Sequence, residues 1–356
     1  MSRFISKRFH TRVPYIPGEQ PRDKQYIKLN ANETSMKPSP KVLEVVKSNR
    51  MEKLGFYTDP SALEFRKAIA EKYNLKLEEI IAGNGADEML SLLFLTFFDG
   101  ESKIAFPDIT YDFYSGFAKT FGLDAQAIPL TEDYKVDVEA FIQSGRHIIL
   151  ANPNAPTGYA LSLSEIERMV ASDENRLVII DEAYVDYGNE SCIPLIRTYS
   201  NLIVVHTLSK SRNLAGAHIG YAVGDPSLIE DVNDIRAVVN PFNLNDMAIA
   251  IGTAAIRDEV YFEECMREVI GNREYLKEEL SKLGFTVMDS KTNFIFVTHP
   301  YMNALTYSLK LKEYGILTRH YKLPRINNYL RITIGTREEM NCVVEATKHI
   351  VMSVAV

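Results

Sequence analysis

Residues 147–158 read HIILANPNAPTG, residues 177–184 read LVIIDEAY and residues 202–210 read LIVVHTLSK. Each starts as a short apolar, β-branched run and ends in polar or small residues. An apolar run of that length without alternation fits a strand buried on both faces, as in a parallel sheet. Glu79–Ala82 and Lys103–Phe106 read as further strands. The segments between are long enough for helices, Tyr111–Phe121 and Ser164–Ala171 among them, and Ser162-Leu163-Ser164-Glu165 spells a capping box. Buried strands alternating with helices predict an α/β fold whose mostly parallel central sheet is covered by helices on both faces.

Outward from this centre the pattern changes. Lys41–Arg50 and Ala62–Tyr73 read as amphipathic helices. The turn Gly83-Asn84-Gly85-Ala86-Asp87-Glu88 opens the apolar stretch Met89–Phe98, a buried helix segment. Residues 1–40 are rich in proline and polar side chains and read as an arm. Tyr15, Tyr26 and the LNANE cluster give it something to pack with. After Glu259, apolar residues at helical spacing (Phe262, Cys265, Met266, Val269, Leu276, Leu280) predict one helix of roughly 25 residues ending at Gly284. Phe294–Val297 and Leu330–Ile334 read as strands, and Thr336-Arg337-Glu338-Glu339 opens a last helix. The expected organisation is an arm (1–40), a large domain (41–255) and a smaller α+β domain (256–356).

Composition excludes several classes. The chain has 356 residues, 46% hydrophobic and 24% charged, with a net charge of −7. Its basic residues are scattered, which argues against nucleic acid as a partner. No run approaches the ~18 apolar residues of a membrane span, and no segment resembles an export signal. Cys192, Cys265 and Cys342 are odd in number and far apart, as expected of free thiols in a reducing cytoplasm. The histidines are dispersed, so no metal site is expected.

In open parallel sheets, ligands bind beyond the carboxyl ends of the strands. There the strands deliver the asparagines of PNAPTG, Asp181 and Tyr184 of DEAY, and Ser209 and Lys210 of TLSK. The Gly83–Asp87 turn adds backbone N–H groups at a helix start, a ready anion site. Any one of these is commonplace. Together they match the needs of pyridoxal 5′-phosphate: a lysine for its aldehyde, a carboxylate for its ring nitrogen, a donor for its ring oxygen and amides for its phosphate.

With PNAPTG, DEAY and TLSK in that order, the sequence resembles the PLP-dependent aminotransferases of class I/II, fold type I. LNANE, GNGADE, KTNFI, GILTRH and LRITIGTREE make it most similar within them to the histidinol-phosphate aminotransferases. The resemblance implies that Lys210 is the Schiff-base lysine and proton shuttle. Asp181 pairs with the pyridinium, Tyr184 donates to the ring oxygen and Tyr111 stacks on the ring. Ala86, Asp87 and Ser209 hold the phosphate. Tyr57 reaches the partner subunit's cofactor, which implies a homodimer with shared sites. Tyr15 and Asn32 line the substrate side, and Arg319 and Arg331 clamp the substrate's anionic groups.

Two positions depart from the family pattern. Ala155 stands where an asparagine usually donates to the ring oxygen, so Asn154 or Asn152 substitutes if the turn shifts, or Tyr184 acts alone. The Ala155–Pro156 bond is a candidate cis bond. His218 stands where a phosphate-binding arginine is usual, with Arg212 the alternative cation. The implied reaction is transamination, histidinol phosphate and 2-oxoglutarate being the pair, in a cytoplasmic homodimer. An aromatic amino-acid aminotransferase and a threonine-phosphate-like decarboxylase are the alternatives.

Overall fold

The computed structural model describes residues 2–6, 9 and 18–354. The chain enters through a two-residue strand, β1 (Ile27–Lys28), then α1 (Pro40–Val46) and α2 (Leu63–Tyr73). α1 is shorter than its apolar spacing predicts. It ends at Lys47, and a 3-10 turn over Asn49–Lys53 follows. β2 (Ile80–Gly83), α3 (Gly85–Phe97), β3 (Lys103–Pro107), α4 (Phe113–Phe121) and β4 (Asp124–Ile128) come next. They lead to α5 (Val138–Gln143), β5 (His147–Ala151), α6 (Leu163–Ala171), β6 (Val178–Asp181), β7 (Leu202–Thr207) and β8 (Gly220–Gly224). Ser162 caps α6 through the expected box.

These strands make one seven-stranded sheet in the order β2-β8-β7-β6-β5-β3-β4. β8 runs antiparallel to both neighbours, and the other pairings are parallel. The mostly parallel α/β fold is therefore as expected, with β4 and β8 added. Neither announces itself in sequence. β4, DAQAI, is an edge strand exposed along most of its length, and β8, GYAVG, is short and bounded by glycines.

The sheet is buried on both faces, so alternate residues enter different cores. Ile148, Leu150, Val178, Ile180, Leu202 and Val204 pack on one face with residues of α2, α6 and α8 (Asp246–Arg257), which follows α7 (Pro226–Val239). Ile149, Ile179, Ile203 and Val205 pack on the other with α3, α4 and α7.

α9 (Glu259–Lys282) is the long helix that the spacing predicts. Beyond it come β9 (Thr286–Val287), β10 (Phe294–Thr298), α10 (Ala304–Glu313), β11 (Ile316–Leu317), β12 (Arg319–His320), β13 (Leu330–Thr333) and α11 (Arg337–Val354). β12-β13-β10-β9 form a second, antiparallel sheet with its own core. β1 pairs in parallel with β11, and Leu29 bonds to Leu317 and Thr333. The arm is thus stitched to the C-terminal part, which carries Asn30 and Asn32 to the sheet's rim. No described helix is long and apolar enough to cross a membrane.

Candidate active site

β3, β5, β6 and β7 are parallel, so their carboxyl ends share one edge. A cavity of about 130 Å3 opens there, with Lys210, Tyr184, Tyr111, Asn32, Arg319 and Arg331 in its wall. A larger cavity of about 390 Å3 lies at the start of β2, lined by Arg66, Arg236 and Ile80, and holds none of these residues.

Lys210 follows β7 by three residues, and its amine stands 5.9 Å from the centre of the Tyr184 ring. Loss of hydration, aided by the Arg331 charge, pushes its pKa down to about 8. Asp181 ends β6 with its carboxylate buried. Tyr114 Oη donates to it at 2.9 Å and the Ala183 backbone N–H at 3.1 Å. Burial nevertheless pushes its pKa up to about 6.

Tyr184 accepts a 2.8 Å hydrogen bond from the Asn32 amide. That leaves the phenol proton free for a further acceptor. Burial raises the phenol's pKa, so it keeps that proton at neutral pH. Asn32 is itself fixed, with φ of 53° and a hydrogen bond from its backbone N–H to Thr333 Oγ1. Tyr111 also lies in the wall; its hydroxyl donates to Asp87 Oδ1 at 2.9 Å.

α3 begins beside this rim, at Gly85. The first N–H groups of a helix have no partner within it. β8 crosses this turn closely, since a side chain on Gly220 would stand 2.9 Å from Ala86 N and 2.5 Å from Gly85 C. Only glycine fits. Ser209 and Thr207 meet there through their hydroxyls at 3.0 Å. His218 flanks the turn, with Nδ1 3.8 Å from where a Cβ on Gly85 would sit. Arg212 is elsewhere. It is buried, bonded to Ala255 O and Glu259 at 2.8 Å each, and stacked on Phe262. Those partners, and not the Gly85 turn, take its donors.

At the opposite wall Arg319 and Arg331 both lie 5.7 Å from the Tyr321 ring. Arg331 donates to Asn30 O at 3.1 Å, while its buried Nε has no partner. Asp112 faces both arginines, and their charges oppose the rise that burial imposes on its pKa.

The Ala155–Pro156 bond is cis, as expected, and Asn152–Pro153 is cis as well. Other expectations change. Asn154 is beside the site, but its amide protons go to Ile109 O and Thr157 Oγ1, both at 3.0 Å. Asn152 is committed to Leu161. Asn154 therefore has no proton free to replace the one missing at Ala155, and Asn152 gives one of its two to Leu161 O. Tyr57 is outside its own chain's cavity, 85% exposed and stacked on Phe242 at 4.6 Å. Tyr15 lies outside the described residues. Tyr114 and Asp112 were not anticipated. No local spacing marks Tyr114: Tyr111 precedes α4, whose first residue is Phe113, and Tyr114 meets Asp181 only across 67 residues of chain. No group of three metal-ligating side chains occurs among the described residues.

Residues 24–346 match the family model for aminotransferase class I and II. A histidinol-phosphate aminotransferase of Brachyspira hyodysenteriae is 44% identical over 352 residues, covering 99% of both chains. Among solved structures, the fold is similar to histidinol-phosphate aminotransferase from Sinorhizobium meliloti in complex with pyridoxal-5'-phosphate, with a TM-score of 0.84 at 23% identity over 93% of this chain and 92% of that one. It is also similar to L-threonine-O-3-phosphate decarboxylase from Porphyromonas gingivalis, with a TM-score of 0.79 at 21% identity over 92% and 99%. The chain belongs to the class I and II aminotransferase family.

Proposed function

We propose that this aminotransferase moves the amino group of histidinol phosphate to a 2-oxo acid, 2-oxoglutarate, using pyridoxal 5′-phosphate. The observation that carries the reading is a cavity whose wall holds a desolvated lysine faced by two arginines, with the buried Asp181 carboxylate close enough to act on that lysine's charge. Relatives of 44% identity that are named for this reaction support the choice of donor.

The donor set fits the cofactor. Asp181 is a buried carboxylate suited to a ring-nitrogen cation. Lys210 offers an amine to the aldehyde, and Tyr184 has a free phenol proton for the ring oxygen. Tyr111 offers a ring face. The α3 N-terminus with Ala86, Asp87 and Ser209 suits a phosphate. Asp87 can serve there only through its backbone N–H, since its carboxylate accepts from Tyr111 and would repel an anion. Bound, the cofactor supplies an aldehyde to take up the amino group and a ring to accept electron density from the substrate's Cα.

The chain's own residues do the rest. With its pKa near 8, Lys210 spends much of its time as a neutral amine near pH 8, able to accept a proton at Nζ and return it. Tyr114 and the Ala183 N–H aim the Asp181 carboxylate. Arg319 and Arg331 hold the substrate's phosphate or carboxylate, and the unpartnered Nε of Arg331 is a donor awaiting such an anion. Their fixed charges orient the amine end towards Lys210.

The active unit in this reading is a cytoplasmic homodimer. Leu54, Phe56, Tyr57, Val238, Val239 and Phe242 are exposed apolar side chains, and the Tyr57–Phe242 stack joins the two segments. Such a patch is suited to burial against a second copy. The two-domain division near residue 255, with the arm completing the site, belongs to the same reading.

A coupled assay tests the proposal. Pure protein given histidinol phosphate and 2-oxoglutarate should form glutamate without releasing CO₂. Turnover restricted to aromatic amino acids, or CO₂ release from threonine phosphate, would overturn it.

A further inference from the structure

Asp181 and Glu182 are consecutive, and their side chains leave the end of β6 on opposite faces. Asp181 follows Ile179 onto the face of α3 and α4, where Tyr114 meets it. Glu182 follows Ile180 onto the other face. There its carboxylate, wholly buried, lies 2.8 Å from His206 Nε2 and accepts from Ser191 Oγ at 2.5 Å and from Cys192 N at 2.7 Å. Its own N–H donates to Val205 O at 2.8 Å. His206 lies flat on Tyr221 of β8, with centroids 5.0 Å apart and planes at 11°.

A carboxylate without solvent is costly to bury unless its oxygens are filled and its charge is answered. Here β7 and the segment after β6 fill it, yet none of these groups lines the cavity. A well-packed apolar pair would serve the core more cheaply. What the pair achieves is to fix the peptide between Asp181 and Glu182 against β7, the strand that leads to Lys210.

We propose that the Glu182–His206 pair is a positioning device for Asp181, holding its carboxylate in place and in its ionised form to receive the cation of a pyridine ring. The proposal rests on the cofactor reading above. Electrostatics act in the same sense: His206 lowers the Asp181 pKa against the rise caused by burial and by Asp87. The other titratable groups facing Asp181 are Tyr111 and Tyr114 from the α4 side, and Tyr184 and Lys210 from the rim.

The test measures retention of pyridoxal phosphate by the holoenzyme between pH 5 and 8, alongside melting of the cofactor-free protein. Glu182→Gln and His206→Gln should bind the cofactor at least about three-fold more weakly at pH 7, and should release it at a higher pH than wild type. Ser191→Ala, which removes one of the three donors and disturbs folding least, should shift both readouts the same way by less. His206→Arg, which keeps a donor to Glu182 and carries a permanent charge, should recover towards wild type. Variants that melt earlier but keep wild-type affinity and acid release would overturn the proposal and leave the pair purely structural. Failure of wild type to bind pyridoxal phosphate would instead overturn the functional reading.

Discussion

Tyr114 donates a 2.9 Å hydrogen bond to Asp181, reaching from the first turn of α4 to the end of β6. Both groups are buried, so the bond is made without competition from water. It opposes the upward push that burial gives the Asp181 carboxyl. A hydrogen bond to a charged group contributes about 1.5–3 kcal/mol, roughly one to two pH units. Tyr114→Phe should therefore raise the pH below which bound cofactor is lost, by about one unit or more. Spectrophotometric titration of the holoenzyme reads the shift, and an unchanged acid limb would remove Tyr114 from the site.

The apo protein's capture of pyridoxal phosphate should depend on pH at two points. The Lys210 pKa, pushed down to about 8, makes its amine protonated below that value and neutral above it, so capture should speed up as pH rises through about 8. The Asp181 pKa, pushed up to about 6, makes its carboxylate neutral below that value, so capture should fall off in that range. Stopped-flow mixing measures both limbs. Lys210→Ala should fold, lose the basic limb and lose nearly all turnover. A borohydride-reducible adduct at another lysine would contradict the assignment.

Arg331 combines an unpartnered buried Nε with a bond to Asn30 O. Arg331→Ala should cost ~1.5–3 kcal/mol in substrate binding, roughly 10–100-fold in KM. Both half-reactions should suffer, because donor and acceptor each present an anion. Unchanged KM values for both would make the arginine structural.

Tyr57 sits on the exposed apolar patch, away from its own chain's cavity. If it serves a partner's site, inactive Lys210→Ala protein mixed with weakened Tyr57→Phe protein should regain activity through heterodimers that keep one undamaged site. Sedimentation should show a dimer, and an active dilute monomer would rule out shared sites.

His218 flanks the Gly85 turn, whereas Arg212 is tied to Glu259 and Phe262. An arginine there would add a permanent charge and a fork of donors to a phosphate. Wild type should hold the cofactor better than His218→Gln, and His218→Arg better than wild type. Equal affinities for wild type and His218→Gln would remove the histidine from the phosphate site.

The sequence alone determined the strand-to-rim logic. A buried parallel strand must be apolar throughout its length, so HIILA, VIID and LIVVHT stand out, and whatever follows them falls on one edge. Lys210, Asp181 and Tyr184 were legible for that reason. β4 and β8 were not, because an exposed edge strand and a glycine-bounded strand lack the apolar signal. Which side chains still had a hydrogen bond to give was decided by tertiary structure alone. Asn154 and Arg212 look available in sequence, yet folding commits them to Ile109, Ala255 and Glu259, groups brought near from distant parts of the chain. Tyr114 and the Glu182–His206 pair became visible only once β6, β7 and α4 were packed. Hydrogen bonds between remote segments depend on three-dimensional proximity, and local spacing carries no record of it.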